Sequence, residues 1–435
     1  EEESSWIGLG WSLLAGGVIT RSVRGLDDFR RPSKTGFPDE YIPVDLDEAN
    51  NSYTWLKDVC MGLRDSEPDI FYFNIAGKSG KFFIDKRSNP NIPSYTATML
   101  SQEKINISCT YNSVKGGYEW TMITEDGTRY IFGTAEKTTN HSQTEDYGSA
   151  SAPLSAWEPS SWSAETVVSS WYLDKIIGPA GDEILFTYIK PSESGSKRQV
   201  SMTEKKTITS NFELVDFGGQ GPGDLDNGTI VGCEPPKNLI SVSQNIVHDV
   251  YLQKIEFNNG KIDFIIEDRE DIDPYISAPY EVVIKPKRLN KIIVSRLVGE
   301  EQIAISLKEI TLDQSYFTNE GTGSKNKRLK LNGITEKNGS ITNPPYLFDY
   351  ENGDLPAKDS RARDMWGFYN GKANTSIYDI YTAGNFVNTL IPPAFIRNSQ
   401  GKVYSIEGAN REPDINFIKR GLLNKITYPT GGKTT

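Results

Sequence analysis

Apolar and polar positions alternate with a period of two along most of the chain, as in Tyr118, Trp120 and Met122, in Ile184, Phe186 and Tyr188, in Ile262, Phe264 and Ile266, and in Ile303, Ile305 and Leu307. Successive side chains of a strand point to opposite faces, so the pattern predicts strands with one buried face. Turn dipeptides fall between them: Asp126-Gly127 separates YEWTMIT from TRYIFG, Asn259-Gly260 separates YLQKIEF from KIDFII, and Asn338-Gly339 follows another run. Such pairs tolerate the positive φ of tight hairpins, so an all-β chain of consecutive antiparallel hairpins is the simplest consequence. Helical spacing is local. Ala49, Tyr53, Leu56, Cys60 and Leu63 recur at three and four residues behind Asp45 or Asp47, which predicts a helix near 47–63. A shorter helix is predicted from Pro413 to Arg420, with Gly421 at its end. Residues 140–165 and 191–229 are rich in Ser, Gly, Glu and Asp with little periodicity and read as loops.

The tetrapeptide pattern LxKI recurs at Leu173–Ile176, Leu252–Ile255, Leu289–Ile292 and Leu423–Ile426, with a degenerate copy, Leu331-Asn-Gly-Ile334. Each copy is expected to begin a strand, and strict alternation would put Leu and Ile on opposite faces, as a wall covered on both sides would need. The irregular spacings exclude a solenoid or a propeller.

Composition narrows the partners. The chain has 435 residues, with 47 basic and 58 acidic side chains, a net charge of −11 that disfavours nucleic acid and anionic lipid. No uncharged apolar run approaches the roughly 18 residues that span a bilayer, so membrane insertion is not expected. Cys60, Cys109 and Cys233 form no CxxC pair and allow at most one disulfide, and His141 and His248 are the only histidines.

The block GLGWSLLAGGVITRSVRG, Gly8 to Gly25, followed by EPDIFYFNIAGKSGKFFID, Glu67 to Asp85, resembles the N-terminal region of RHS/YD-repeat proteins, in particular SpvB-like and toxin-complex B components. RLKLNGITEKNG, PPYLFDYENGDLP, DMWGFYNGKAN and GLLNKITYPTGG are similar to the region before the repeats in large secreted RHS-like proteins of the Bacteroidota type. The resemblance implies an N-terminal β unit over 1–165 and a hairpin array over 166–435 that begins a spiral RHS-type shell. It implies a non-catalytic part of a secreted or cell-surface protein that encapsulates a C-terminal toxin, its own partner, and delivers it in interbacterial competition. Export by the type IX route, with a translocon or surface-anchoring proteins as further partners, follows from the same resemblance. No YDxxGR repeat or DPxG signature is present, and the chain closes inside a recognisable block, which implies a portion of a longer protein. An adhesin or carbohydrate-binding β-protein is the alternative.

The family-motif positions Gly8, Gly10, Trp11, Arg21, Arg24, Trp366 and Tyr428 are expected to be structural. Glycines around Trp11 suggest close backbone approach beside a buried ring. Arg21 and Arg24 are placed to fork onto Asp27, Asp28 or backbone carbonyls. The first block lacks the spacing and the Lys-Ser/Thr of a phosphate loop. Asp224 and Asp226 are candidate calcium ligands, but Pro235 stands where an EF-hand needs Glu, and no other cofactor is expected. His248-Asp249 lacks a nucleophile elbow, and no acidic pair identifies a glycosidase groove, so no catalytic residue is assigned. Trp157, Trp162, Trp171, Trp366, Phe368 and Tyr369 are expected in the core rather than stacked on sugars.

Overall fold

The computed structural model describes residues 4–29, 67–89, 92–146, 163–189, 197–208, 238–273, 285–319, 321–358, 360, 362–372, 374, 394–397, 403–406 and 410–435. The expected helix at 47–63 lies outside these residues, as do Cys60, Cys233, Asp224, Asp226, Trp157 and Trp162.

Eight strands close into a ring: β1 (Gly17–Ser22), β2 (Ile70–Ile75), β3 (Lys78–Asn89), β4 (Ile92–Met99), β5 (Asn106–Asn112), β6 (Gly117–Ile123), β7 (Arg129–Asp146) and β8 (Ser163–Ile177). Each pairs antiparallel with the next, and β8 returns to β1 through Val18–Tyr172, Ile19–Trp171 and Thr20–Ser170. Alternation fills the barrel with Ile19, Phe71, Phe82, Ile84, Trp120, Phe132 and Trp171, all buried. Trp120 meets Trp171 edge-on at 5.6 Å, and Phe71 stacks on Phe82 at 5.3 Å. Burying each such ring contributes about 2–3 kcal/mol.

The sheet continues outward from β8 through β9 (Glu183–Ile189), β12 (Tyr251–Phe257), β13 (Gly260–Asp268), β14 (Lys287–Val298), β15 (Ile303–Thr318), β16 (Lys327–Asn338), β18 (Tyr346–Tyr350) and β21 (Leu423–Thr427). β10 (Lys197–Ile208) and β11 (Asn238–His248) extend from the far half of β7. Short β17 (Ile341–Thr342) and β22 (Lys433–Thr434) flank β16 and β21, and β19 (Ala394–Arg397) and β20 (Val403–Ile406) form a separate hairpin. Among the described residues a short α-helix, α1 (Ile415–Ile418), starts at Asp414, whose side chain accepts from the Asn416 N–H. The cap is therefore Asp414 rather than the first-turn proline expected from Pro413.

The described parts of the loops expected at 140–165 and 191–229 are strand. β7 runs to Asp146, β8 starts at Ser163, and residues 197–208 form β10, whose polar sequence hid its pairing with β11. The β12–β13 hairpin turns at Asn258-Asn259, because Phe257 pairs with Gly260. The φ of 60° falls on Asn259, and Gly260 is already the first residue of β13.

The LxKI copies correct the sequence expectation most sharply. Leu173 lies near the end of β8 and Leu331 inside β16, so the pattern does not mark strand starts. Each copy instead carries a β-bulge at x. Asp174, Gln253, Asn290, Asn332 and Asn424 are the extra residues in β8, β12, β14, β16 and β21. One extra residue shifts the alternation by one, so Leu and Ile share a face. Accordingly Leu173, Leu252, Leu289 and Leu331 are buried, and Ile176, Ile255, Ile292, Ile334 and Ile426 pack against the same core. The four intervening lysines take the other face in ion pairs, Lys175–Glu183, Lys254–Glu256, Lys291–Glu309 and Lys425–Asp349. Along the array the bulges occupy every second strand. Leu423 departs from the row at 42 % exposure.

Candidate functional site

Two assemblies concentrate the polar groups, and both are built by the first sequence block. The segment before β1 lies across the apolar face of the array. The Trp6 carbonyl accepts from the Leu289 N–H at 2.8 Å, the Ile7 carbonyl accepts from Gln314 Nε2 at 2.7 Å, and the Leu9 N–H donates to the Leu329 carbonyl at 2.8 Å. Gly8 supplies the close approach expected of it: a Cβ there would stand 3.1 Å from the Leu331 nitrogen. Gly10 has open space around it but a φ of 75°, which an L side chain rarely adopts. Trp11 is half-buried, its ring 4.5 Å from Phe348 and its Nε1 donating to the Tyr350 hydroxyl at 2.9 Å.

Arg269 ties this segment down. Its Nε and Nη2 donate to the two Asp271 carboxylate oxygens at 2.7 Å, and its Nη1 and Nη2 donate to the Ser5 and Ser4 carbonyls. Asp271 also accepts from the Leu329 N–H at 2.9 Å. Burial opposes its charge, but the hydrogen bonds and charge of Arg269 outweigh that and hold the carboxyl below its usual range.

The second assembly seals one end of the barrel. Arg21 points inward from β1, donating through Nη1 to Asp27 at 2.5 Å and to Asp69 at 3.4 Å, with its guanidinium over the rings of Phe29 and Trp171. Phe29 stacks on Tyr118 at 4.1 Å and meets Trp120 edge-on, so residues 24–29 fold back as a plug. Asp28 and Asp69 are reciprocal: the Asp69 N–H donates to Asp28 Oδ2 at 2.9 Å, and the Asp28 N–H to Asp69 Oδ2 at 3.3 Å. Burial, reinforced by the Asp69 charge, pushes the Asp28 carboxyl up to about 9. Burial raises Asp69 to about 6 against the Arg24 N–H and the Arg21 guanidinium. At neutral pH Asp28 is therefore a neutral acid beside a charged Asp69. Fully buried Cys109, facing the same interior, is a free thiol raised well above its ordinary range by burial.

The arginine expectation thus resolves unevenly. Arg21 takes Asp27 and Asp69 and not Asp28, while Arg24 reaches Asp69 through its backbone N–H at 2.8 Å and Glu67 through its side chain at 3.3 Å. Asp69 was missed, although it stands immediately before the alternating run IFYFNI, where a strand enters a barrel. The His248 ring lies 3.1 Å from the Thr139 hydroxyl.

Trp171 is core, but Trp366 and Phe368 are not: they are 73 % and 57 % exposed. The reason is local. Buried Asp364 accepts from the Trp366 and Phe368 N–H groups, each at 2.9 Å, and its carbonyl accepts from Arg411, which fixes a tight loop with its rings outward. Tyr369 packs edge-on against Phe417. Tyr428 closes the turn before β22, its N–H donating to the Gly432 carbonyl at 2.8 Å. Among the described residues no group of three or more His, Cys, Asp or Glu side chains is arranged to hold a metal, and no helix is long and apolar enough to cross a membrane.

No family model matches the chain, and no curated protein does. Among solved structures it is similar to the TcdB2–TccC3 complex (10 % identity, TM-score 0.36, covering 80 % of this chain and 15 % of that one). It is also similar to the N-terminal domain of the effector SpvB from Salmonella typhimurium strain LT2 (11 % identity, TM-score 0.35, covering 77 % and 90 %). The Photorhabdus luminescens Tc holotoxin pore aligns at 9 % identity and a TM-score of 0.35 over 80 % of this chain and 14 % of its own.

Proposed function

We propose that the chain is a non-catalytic wall portion of a large secreted RHS-like shell protein that encloses and delivers a C-terminal toxin. The observation that carries this reading is the row of bulges at LxKI in alternate strands of the array. A bulge bends its strand and increases the local twist, so repeated placement curves a long sheet in a controlled way. Part of the apolar side of that sheet is covered by the chain's own residues 4–16, while the other side carries the ion pairs and is open to surroundings or guest. The motif blocks around Trp11, Arg21 and Gly421 support the same family. Secretion to the cell surface, type IX export, and a translocon or anchoring partner belong to this proposal.

The test is protection. In the intact parent protein a C-terminal guest should resist a broad-specificity protease at concentrations that degrade the isolated guest within minutes. Equal cleavage rates would defeat the reading. The outward Trp366 and Phe368 favour a second reading, a surface adhesin or carbohydrate-binding module. Retention of the chain on immobilised glycans, lost with Trp366→Ala, would support it.

A further inference from the structure

The β14–β15 hairpin extends past the rest of the array. β16 pairs with β15 only from Lys308 onward, at Asn338, whereas β15 begins at Ile303 and its first residues pair with β14 alone. Residues 303–307 are exposed throughout, with Ile303, Ile305 and Leu307 at 59 %, 50 % and 51 %. The sequence expectation of a buried face fails there. A bulge at Leu307 separates this tip from the paired part of β15, and the β14 register places Ile303 and Ile305 on the same face as Ile292 and Ile310. Among the described residues, then, the array ends in an open strand edge, five residues long, that continues its apolar face into solvent. Natural sheets normally blunt such an edge with charge or proline, and residues 303–307 contain neither.

We propose that this edge pairs with the same edge of a second copy, antiparallel about a two-fold axis at Ile305. The segment is self-complementary: Ile305 meets its equivalent, and Ile303 of each copy lies beside Leu307 of the other. Its length also fits. The second copy's hairpin tip reaches the step where β16 ends, so the tip carboxylates Glu300 and Glu301, both exposed, face exposed Lys337. Backbone pairing supplies the attraction, and the crossed charges fix the register.

Such an edge buries far less than the ~1,200 Å² of a stable interface, so the association is weak. Sedimentation velocity of the 435-residue chain should show monomer at about 1 µM and a growing dimer fraction towards about 100 µM. Ile305→Lys should remain monomeric at both, with an unchanged circular dichroism spectrum. The double change Glu300→Lys/Glu301→Lys, and Lys337→Glu alone, should each weaken the dimer, and mixing the two variants should restore it as a heterodimer. Wild type that stays monomeric, a dimer indifferent to Ile305→Lys, or no recovery on mixing would each overturn the proposal. So would a monomer that instead binds an alternating Val-Thr hexapeptide, which would assign the edge to a foreign strand.

Discussion

Replacing Asp28 with Asn isolates the buried acid that closes the barrel. Asp28 has an ordinary pKa of 3.8 and about 9 in the folded chain. The raised value means that the folded state keeps a proton the unfolded chain gives up above pH 3.8. Its effect on stability is absent below that pH and becomes more unfavourable as pH rises towards 9. Each unit of separation corresponds to about 1.4 kcal/mol. At pH 7 the separation exploited is 7 − 3.8 = 3.2 units, so the cost is on the order of 4 kcal/mol. At pH 5 it is 5 − 3.8 = 1.2 units, on the order of 1–2 kcal/mol. Asn is a neutral near-isostere and carries no such cost. Urea unfolding of both proteins at pH 5, 6, 7 and 8, followed by tryptophan fluorescence, should show the stability of Asp28→Asn relative to wild type rising with pH. Groups common to both proteins cancel in that difference. A pH-independent difference, or one that shrinks as pH rises, would refute the assignment of a buried neutral acid.

Four further outcomes are expected. Arg269→Ala leaves Asp271 buried without its partner and should cost about 3–5 kcal/mol, measured as a shift of the thermal transition, with faster proteolysis of residues 4–16. Trp171→Ala should cost about 3–5 kcal/mol, whereas Trp366→Ala should stay within about 0.5 kcal/mol, because only the first ring is buried. Deleting Asn290 removes one bulge but leaves Leu289 and Ile292 two positions apart, still on one face and in register with β13, so it should be tolerated within about 1 kcal/mol, read in urea. Leu289→Asp, which puts a charge on that buried face, should destabilise the chain by about 2 kcal/mol or more in the same assay. Gly8→Ala should cost about 1–3 kcal/mol through overpacking on Leu331, and the same assay with Gly117→Ala, which has open space, is the control.

The strands were legible because their buried faces are aromatic or β-branched and the alternation is unbroken within each, as in GYEWTMI and IFYFNI. Closure of the barrel was not. The β1–β8 contact joins residues about 150 positions apart, Val18 with Tyr172, and no local pattern reports it. LxKI was legible as a repeat but misread in geometry, since a strict period of two has no place for an extra residue and so turns Ile away from the core. Arg21 was legible as an ion-pair residue, while its partner Asp69 lay 48 positions away. Trp366 misled because hydrophobicity alone does not show which way a tight loop aims its rings. Residues 303–307 misled for the opposite reason: their alternation is that of a buried strand, and the neighbour that would cover them stops at Asn338.

The leading segment also constrains the order of assembly. Ser4 and Ser5 find Arg269, Ile7 finds Gln314 and Trp11 finds Tyr350, across separations of 264 to 339 residues. Those first residues stay unsatisfied until the chain has been made to about position 350. The array is built from neighbouring hairpins, whereas docking residues 4–11 closes loops of 264 to 339 residues, which carry the larger entropic cost of closure. A substitution in the distant strands that carry Arg269, Gln314 or Tyr350 therefore acts on residues 4–11 as directly as one made in those residues themselves.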